Sequence, residues 1–152
     1  MSQRLTQTIR AFFSIGALGY RATRCAGAFS SAEHTLNEQR WAELSDSLKT
    51  AGFKVALVDQ VFRDWVELCG HAGRLLKIDL REQARRNGKS PNALGSAKPR
   101  QASVVHLRPV RIDGKLRLAL LEAPHGRILG PEARRAHGGR PPVLKLAGFV
   151  KD

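Results

Sequence analysis

Positive charge is unevenly distributed along this 152-residue chain, and the distribution limits where a folded core can form. Residues 1–32 carry four Arg and no acidic residue, for a net charge of +4. Residues 33–82 carry seven Lys or Arg against nine Asp or Glu, whereas residues 83–152 carry fifteen against four, giving −2 and +11. A near-neutral block joined to a strongly cationic one predicts a folded body with one half that faces a polyanion.

Length and composition predict one small domain, because 152 residues that are 42% apolar can bury one modest core. The two cysteines, Cys25 and Cys69, are too few for a disulfide scaffold and favour a reducing compartment. A pI near 11 favours nucleic acid, an anionic membrane surface or an acidic protein as the partner.

Residues 1–31 have the profile of an organelle transit peptide, since they are rich in Arg, Ser, Thr and Ala and lack acids. On a helix, four apolar side chains would share one face with an arginine on either side: Leu5, Ile9, Phe12 and Phe13, flanked by Arg4 and Arg10. The stretch 26–32 resembles the small-residue ends of plant and algal mitochondrial presequences. That resemblance implies removal near Phe29 and a location in the mitochondrial matrix.

Other interpretations of this segment stay open. A secretory signal would also show Ala26-x-Ala28, but Arg21 and Arg24 stand where that class prefers no charge. An ordinary terminal amphipathic helix, or a flexible basic arm, on a protein of the bacterial cytoplasm would have the same composition. A transmembrane helix is not expected, because the apolar run at 11–20 covers ten positions where about twenty are needed.

Residues 33–87 predict a helical body. Thr35 and Glu38 form a capping box that would start a first helix, and Gly52 would end it. The apolar positions of that helix follow at spacings of three and four: Trp41, Leu44, Leu48 and Ala51.

A second apolar series over residues 57–69 also follows the helical period, with Gly70 and Gly73 expected to close it. Both tryptophans, Trp41 and Trp65, are expected in the core. The apolar run at 75–80 is ambiguous between strand and helix. Asp79 followed by Glu82 predicts a short helix from about residue 80 to residue 86.

Residues 88–102 have a linker composition, and residues 103–152 predict a basic β-rich segment with a short helix starting at Pro131. Two strands, at 103–112 and 116–123, surround Asp113-Gly114, and a further strand is expected over 143–150. A two-residue loop would pair Ile112 with Lys115 and Arg111 with Leu116, which sets apolar against charged side chains on each face. We therefore expect a three-residue loop with Gly114 in the left-handed position, which leaves one face apolar and the other solvated. This register pairs Arg111 with Lys115 and Val110 with Leu116. It places Arg111, Lys115 and Arg117 on one face.

No set of residues specifies a reaction. Cys69-Gly70-His71 lacks the remaining ligands of a zinc site, and the other histidines are scattered. Gly88-Lys89-Ser90 ends like a phosphate-binding P-loop, but Gln83 stands where the first Gly is required. We therefore expect no catalytic residues, no metal and no cofactor.

The sequence thus predicts an α+β protein: a small helical body followed by a basic β-hairpin half, with an amino-terminal leader or arm. The expected function is non-catalytic nucleic-acid binding, with RNA favoured over DNA, in a ribosome-like assembly, because long basic segments with Gly and Pro can order against phosphates. Phe149 is the only aromatic residue after Trp65, which disfavours base stacking on single strands. The alternatives are a subunit that docks an acidic protein surface and a small bacterial DNA-binding regulator.

The predicted phosphate contacts are basic side chains in the carboxyl-terminal half of the chain: Arg85, Arg86, Lys89, Lys98, Arg100, Arg108, Arg111, Lys115, Arg117, Arg127, Arg134, Arg135 and Arg140.

Overall fold

The computed structural model describes residues 2–18, 25, 27–28, 31–86, 94–96 and 101–123. These residues form, in chain order, α1 (Gln3–Ile15), a 3-10 turn (Ala32–His34), α2 (Glu38–Thr50), β1 (Lys54–Leu57), α3 (Trp65–Arg74), a π turn (Leu75–Asp79), α4 (Leu80–Arg86), β2 (Leu94–Ser96), β3 (Gln101–Ser103), β4 (Val105–Ile112) and β5 (Lys115–Glu122).

The sheet of the domain has three antiparallel strands in the order β1-β5-β4. Strand β5 lies in the middle and pairs with β1 from Leu57↔Ala119 to Lys54↔Glu122. Strands β2 and β3 pair with each other in a separate antiparallel ribbon. The combination of helices with an antiparallel sheet confirms the predicted α+β class.

Two apolar clusters cover opposite faces of this sheet. On one face, α3, the π turn and α4 pack on side chains that include Leu107, Leu118 and Leu120. On the other face, α2 and the end of α1 pack on Val110, Ile112, Ala119 and Leu121. Strand β5 is therefore buried on both sides, and the domain has three layers.

Helix α2 begins two residues later than the sequence predicts. Asn37, not Thr35, is the N-cap, and its side-chain oxygen accepts a hydrogen bond from Arg40 N at 2.8 Å. The preceding Leu36 is bridged to Ile112, and its carbonyl accepts from Asp113 N at 3.0 Å. Pairing with β4 holds this segment extended, so the helix cannot start at Thr35. The predicted end is confirmed, since Gly52 has φ 89°.

The predicted second helix over residues 57–69 is wrong in its first half. Leu57 ends β1, and Val58 and Phe62 continue along β5 by donating backbone hydrogen bonds to Leu118 and Leu116, both at 2.9 Å. The helix begins at Trp65, because Asp64 caps it by accepting from Glu67 N at 2.9 Å.

The two tryptophans occupy different environments. Trp41 is buried at 8% exposure, as expected, whereas Trp65 is 45% exposed and does not lie in the core. Trp65 is the first residue of α3. The residues before it pair with β5, so the helical spacing that the sequence suggested for Trp65 does not extend back from it.

Gly70 and Gly73 do not end α3, which continues to Arg74 and passes through the π turn into α4. The ambiguous apolar run at 75–80 is helical: it forms the π turn at Leu75–Asp79 and the first residue of α4, Leu80. The short helix predicted at 80–86 is confirmed.

Part of the predicted linker is ordered as a strand. Leu94 is fully buried at 0% exposure and pairs with Ser103 across the β2–β3 ribbon. One buried leucine among polar and small residues gives no repeating spacing of apolar positions. Composition alone therefore favoured a linker there.

The turn between β4 and β5 has two residues, not the three that we predicted. Asp113 and Gly114 have φ 47° and 75°, which is the geometry of a type I′ turn. Ile112 therefore pairs with Lys115, and Arg111 pairs with Leu116. The predicted register assumed one solvated face, and that assumption fails because both faces of the sheet are covered.

The predicted helix at Pro131 and the predicted strand at 143–150 lie outside the described residues.

Candidate nucleic-acid interface

The hairpin cations that the sequence placed on one face are separated by the observed register. Arg111 shares a face with Leu116, whereas Lys115 and Arg117 share the opposite face with Ile112 and Val110. Arg111 and Lys115 are exposed beside the turn, and Arg111 Nη1 donates to Gly114 O at 3.3 Å. The predicted three-residue basic face is therefore not formed.

Arg117 acts within the fold. Its side chain is 17% exposed, and Nη2 donates to Val58 O at 3.1 Å. Its Nη1 lies 3.9 Å from Glu38 Oε1 at the start of α2. This guanidinium joins the loop after β1 to the first turn of α2, so it is poorly placed to contact a phosphate.

Arg108 is also buried, at 8% exposure. Its Nη2 lies 3.1 Å from His106 Nδ1, and Nη1 lies 3.3 Å from Leu107 O. Burial, and then the neighbouring guanidinium, lower the pKa of His106 from 6.5 to about 4. His106 is therefore neutral near pH 7, with Nδ1 accepting from Arg108 and the proton on Nε2, which is buried without a hydrogen-bond partner among the described residues.

The continuous helix from Trp65 to Arg86, called the rod below, keeps one side buried in the apolar cluster along its whole length. Five buried side chains recur every four residues, each 4% exposed or less: Leu68, Ala72, Leu76, Leu80 and Ala84. An ideal α-helix turns about 100° per residue, so it would rotate Ala84 about 160° away from the side of Leu68. In the π turn, Leu80 N donates to Leu75 O, five residues earlier instead of four. This turn of the helix therefore contains one extra residue, which reduces the rotation of Ala84 away from Leu68 by about 100°.

The same four-residue period aligns the exposed side chains. Counting in fours from Trp65 gives one flank of the rod: Trp65, Cys69, Gly73, Lys77, Arg81 and Arg85. The first half of this flank is apolar or small, and the second half is cationic. Arg74 stands in the neighbouring outermost row, exposed beside Lys77.

We call Arg74, Lys77, Arg81 and Arg85 the cationic ridge. Arg74, Lys77 and Arg85 are exposed, and Arg81 is half-buried with Nη2 donating to Gly95 O at 2.9 Å. Residues 74–86 hold five Lys or Arg and two acids, for a net charge of +3. One acid, Glu82, pairs with Arg86 at 3.4 Å in the next row.

The spacing of the ridge favours an anionic partner. Residues four apart on a helix rise about 6 Å, and two unit charges 6 Å apart in water repel by about 0.7 kcal/mol. A polyanion lying along the ridge would relieve this repulsion at each step.

Three members of the ridge were missed by the sequence analysis. Arg74, Lys77 and Arg81 belong to a block that is acidic in sum, and their charge was averaged with distant Asp and Glu residues. A usable signal was present, since the cations at 77, 81 and 85 each follow a buried apolar residue by one position.

The predicted site residues thus have different outcomes. Arg85 and Arg86 are exposed at the end of the rod, Arg111 and Lys115 are exposed at the hairpin turn, and Arg108 and Arg117 are held in the fold. The remaining predicted residues lie outside the described part of the chain: Lys89, Lys98, Arg100, Arg127, Arg134, Arg135 and Arg140.

Comparison with known proteins gives no relative: the chain matches no family model, no curated protein and no solved structure. Within the residues that the structure describes, no helix has the length and apolar character needed to cross a membrane. Those residues also contain no group of three His, Cys, Asp or Glu side chains that could hold a metal ion.

Proposed function

We propose that this protein is a non-catalytic RNA-binding component of a ribosome-like assembly, and that the cationic ridge contacts phosphates. The observation that carries the proposal is the ridge itself, a row of basic side chains on a helix whose opposite side is buried along its length. Because the rod is held by its apolar side, binding needs little ordering of the backbone that carries these cations.

The chemistry of the ridge suits backbone contact more than base readout. Arg and Lys side chains in a row can follow a phosphate chain without reading sequence. RNA duplexes are recognised mainly through shape and through backbone contacts, which a regular row of cations can supply. The +13 net charge of the whole chain would add non-specific attraction.

A salt titration of binding tests this proposal directly. The variant Lys77→Gln with Arg85→Gln removes two exposed ridge charges, and glutamine keeps good helix propensity. The matched control is Arg40→Gln with Lys49→Gln on α2, which removes the same charge from exposed positions across the sheet. Thermal melts of both variants verify that they are folded.

Affinity for a structured RNA should fall linearly with salt on a double-logarithmic plot. Removing two phosphate contacts should lower the slope by about 1.4 to 1.8, and the control pair should leave it within error of the parent protein. Equal losses from the two pairs would mean that net charge, not the ridge, sets affinity, and the ridge assignment would then be wrong.

Two further experiments separate this proposal from the two rival functions. A DNA-binding regulator would bind a DNA duplex of the same sequence more tightly than the RNA. A subunit that docks an acidic protein would stay with its partner when the native complex is treated with ribonuclease. An RNA-bound component should be released by that treatment.

A further inference from the structure

Strand β1 is an edge strand of the sheet, and one side of its backbone faces away from β5. Val58 N donates to Leu118 O at 2.9 Å, and this pair continues the β1–β5 register. Hydrogen-bonded pairs alternate with non-bonded pairs along an antiparallel ladder, so Ala56 also bonds to β5. The backbone N–H and C=O groups of Val55 and Leu57 therefore point outward.

The outward groups of β1 leave one edge of the sheet open. Within the described part of the chain, no residue donates to or accepts from the outward backbone groups of Val55 and Leu57. The other edge strand, β4, is partly covered, because Ile112 is bridged to Leu36. A row of unpaired backbone donors and acceptors is a template on which a further strand can add.

The open edge is apolar and its charge is balanced. Val55 and Leu57 are half-buried on the α2 side of the sheet, and Ala56 is buried on the other side. The charged side chain of the strand, Lys54, lies 3.6 Å from the buried carboxylate of Glu122. This edge therefore offers backbone hydrogen bonds and apolar contact, which suit an extended polypeptide and not a polyanion.

A second copy of β1 fits this edge by symmetry. When two β1 strands pair antiparallel about a two-fold axis at Ala56, Val55 of each copy lies opposite Leu57 of the other. Each of these two pairs exchanges two hydrogen bonds, so every outward group of Val55 and Leu57 is bonded. The pairs are apolar on both sides, and the small Ala56 stands on the axis, where the Cα atoms come within about 4.5 Å.

The neighbouring two-fold registers satisfy fewer of these groups. A shift toward the amino end of β1 pairs Leu57 with Phe53, whose N–H already donates to Leu48 O at 3.0 Å. A shift toward the carboxyl end pairs Val55 with Asp59, which lies outside the strand. The central register is therefore the one that the fold specifies.

We propose that this protein forms a two-fold dimer in which β1 pairs with β1 of a second copy. The two three-stranded sheets then join into one six-stranded antiparallel sheet with the two β1 strands in the middle. The cationic ridge takes no part in this contact, so dimerisation does not depend on RNA binding. Two chains of net charge +13 repel each other, so dimerisation should strengthen as salt rises, whereas RNA binding should weaken.

Sedimentation equilibrium of the full-length protein, freed of nucleic acid by nuclease treatment, tests for the dimer. The parent protein should show a monomer–dimer equilibrium over a concentration series. The dimer should be tighter in about 1 M salt than in about 0.15 M, because the screening length falls from about 8 Å to about 3 Å.

Two variants of one residue test the strand pairing itself. Leu57→Pro and Leu57→Thr both remove the leucine side chain, but only proline removes the outward N–H, and neither removes a bond to β5. Each dimer contains two of these N–H groups, so Leu57→Pro should dimerise about thirtyfold more weakly than Leu57→Thr. Thermal melts verify that both variants are folded.

Hydrogen exchange of the parent protein gives a second readout, which holds even if the proline variant does not fold. The amide of Ala56 should be protected at every concentration because it bonds to β5, whereas the amides of Val55 and Leu57 should gain protection only as the dimer forms. The control is Leu5→Ser, which removes an exposed apolar side chain from α1 and should leave dimerisation unchanged.

Four results would overturn the dimer. They are a parent protein that stays monomeric throughout, equal weakening by Leu57→Pro and Leu57→Thr, a dimer in which the amides of Val55 and Leu57 still exchange freely, and a loss of dimer in Leu5→Ser as large as that in Leu57→Pro.

Discussion

The two tryptophans provide a sharp test of the layer arrangement. A fully covered tryptophan buries about 200 Å², worth about 5 kcal/mol at 25 cal/mol per Å². Trp41 is 8% exposed and Trp65 is 45% exposed. Scaling by the buried fraction gives about 4.6 kcal/mol for Trp41→Ala and at most about 2.8 kcal/mol for Trp65→Ala, both as upper estimates.

The two variants should differ in their free energy of unfolding by more than this calculated difference of about 2 kcal/mol. Trp41 packs between α2 and the sheet, so its removal leaves a cavity, whereas Trp65 stands at the surface, where water fills the space.

Urea unfolding followed by far-ultraviolet circular dichroism measures the difference. With a slope of about 1.5 kcal/mol per molar urea, Trp41→Ala should lower the midpoint by about 3 M and Trp65→Ala by at most about 1.8 M. Fluorescence gives an independent readout, since each variant keeps the other tryptophan. Acrylamide should quench Trp65 more strongly than Trp41. Equal midpoint shifts, or a larger shift for Trp65→Ala, would refute the assignment of Trp41 to the core and Trp65 to the surface.

Three further predictions concern single side chains. In the unfolded chain His106 is protonated below about pH 6.5, whereas burial keeps it neutral in the folded protein down to about pH 4. The free energy of unfolding should therefore fall as the pH drops from about 6.5 to about 4. His106→Asn should flatten this part of a stability profile measured by urea unfolding. Arg117→Ala should destabilise the fold by about 2 kcal/mol in the same assay, through its lost bond to Val58 O, and should leave the salt slope of RNA binding unchanged. Burial raises the pKa of the Cys25 thiol to about 12, whereas Cys69 is exposed, so a maleimide at neutral pH should label Cys69 in the native protein and Cys25 after unfolding; rapid native labelling of Cys25 would contradict its burial.

The sequence predicted the elements that rest on local chemistry. Capping signals and a terminating glycine located α2, and the pair Asp79 and Glu82 located α4, without tertiary information. The predicted caps themselves were wrong, because Asn37 caps α2 and α4 continues directly from the π turn. The turn at Asp113-Gly114 was located correctly, because few dipeptides favour left-handed backbone as strongly.

Elements that depend on partners distant in sequence could not be predicted. Residues 54–57 pair with β5, and Val58 and Phe62 continue that pairing. The apolar residues of this segment have the spacing of a helix, but its backbone hydrogen bonds are made to β5. The turn length was misjudged for a related reason. A strand with one solvated face alternates apolar and polar residues, and this alternation reveals its pairing register. Strand β5 lacks the alternation, because the consecutive residues Leu118, Ala119 and Leu120 are all buried.

The candidate site was predicted in its chemistry and not in its position. Basic side chains were expected to gather on the hairpin, but a sheet covered on both faces directs Arg108 and Arg117 into the fold. The ridge on the rod could have been found from the four-residue spacing of its cations, whereas the π turn that aligns them has no pattern in the linear sequence.

The middle position of β5 has a consequence for how the chain can fold during synthesis. Strand β5 is the last described strand to be made, yet both β1 and β4 need it as their neighbour. Until residue 122 has left the ribosome, the apolar sides of α2 and the rod have no complete sheet to cover. We therefore expect folding to wait for a late, long-range step in which Lys54 meets Glu122, and nascent chains that end before β5 should depend on chaperones to stay soluble.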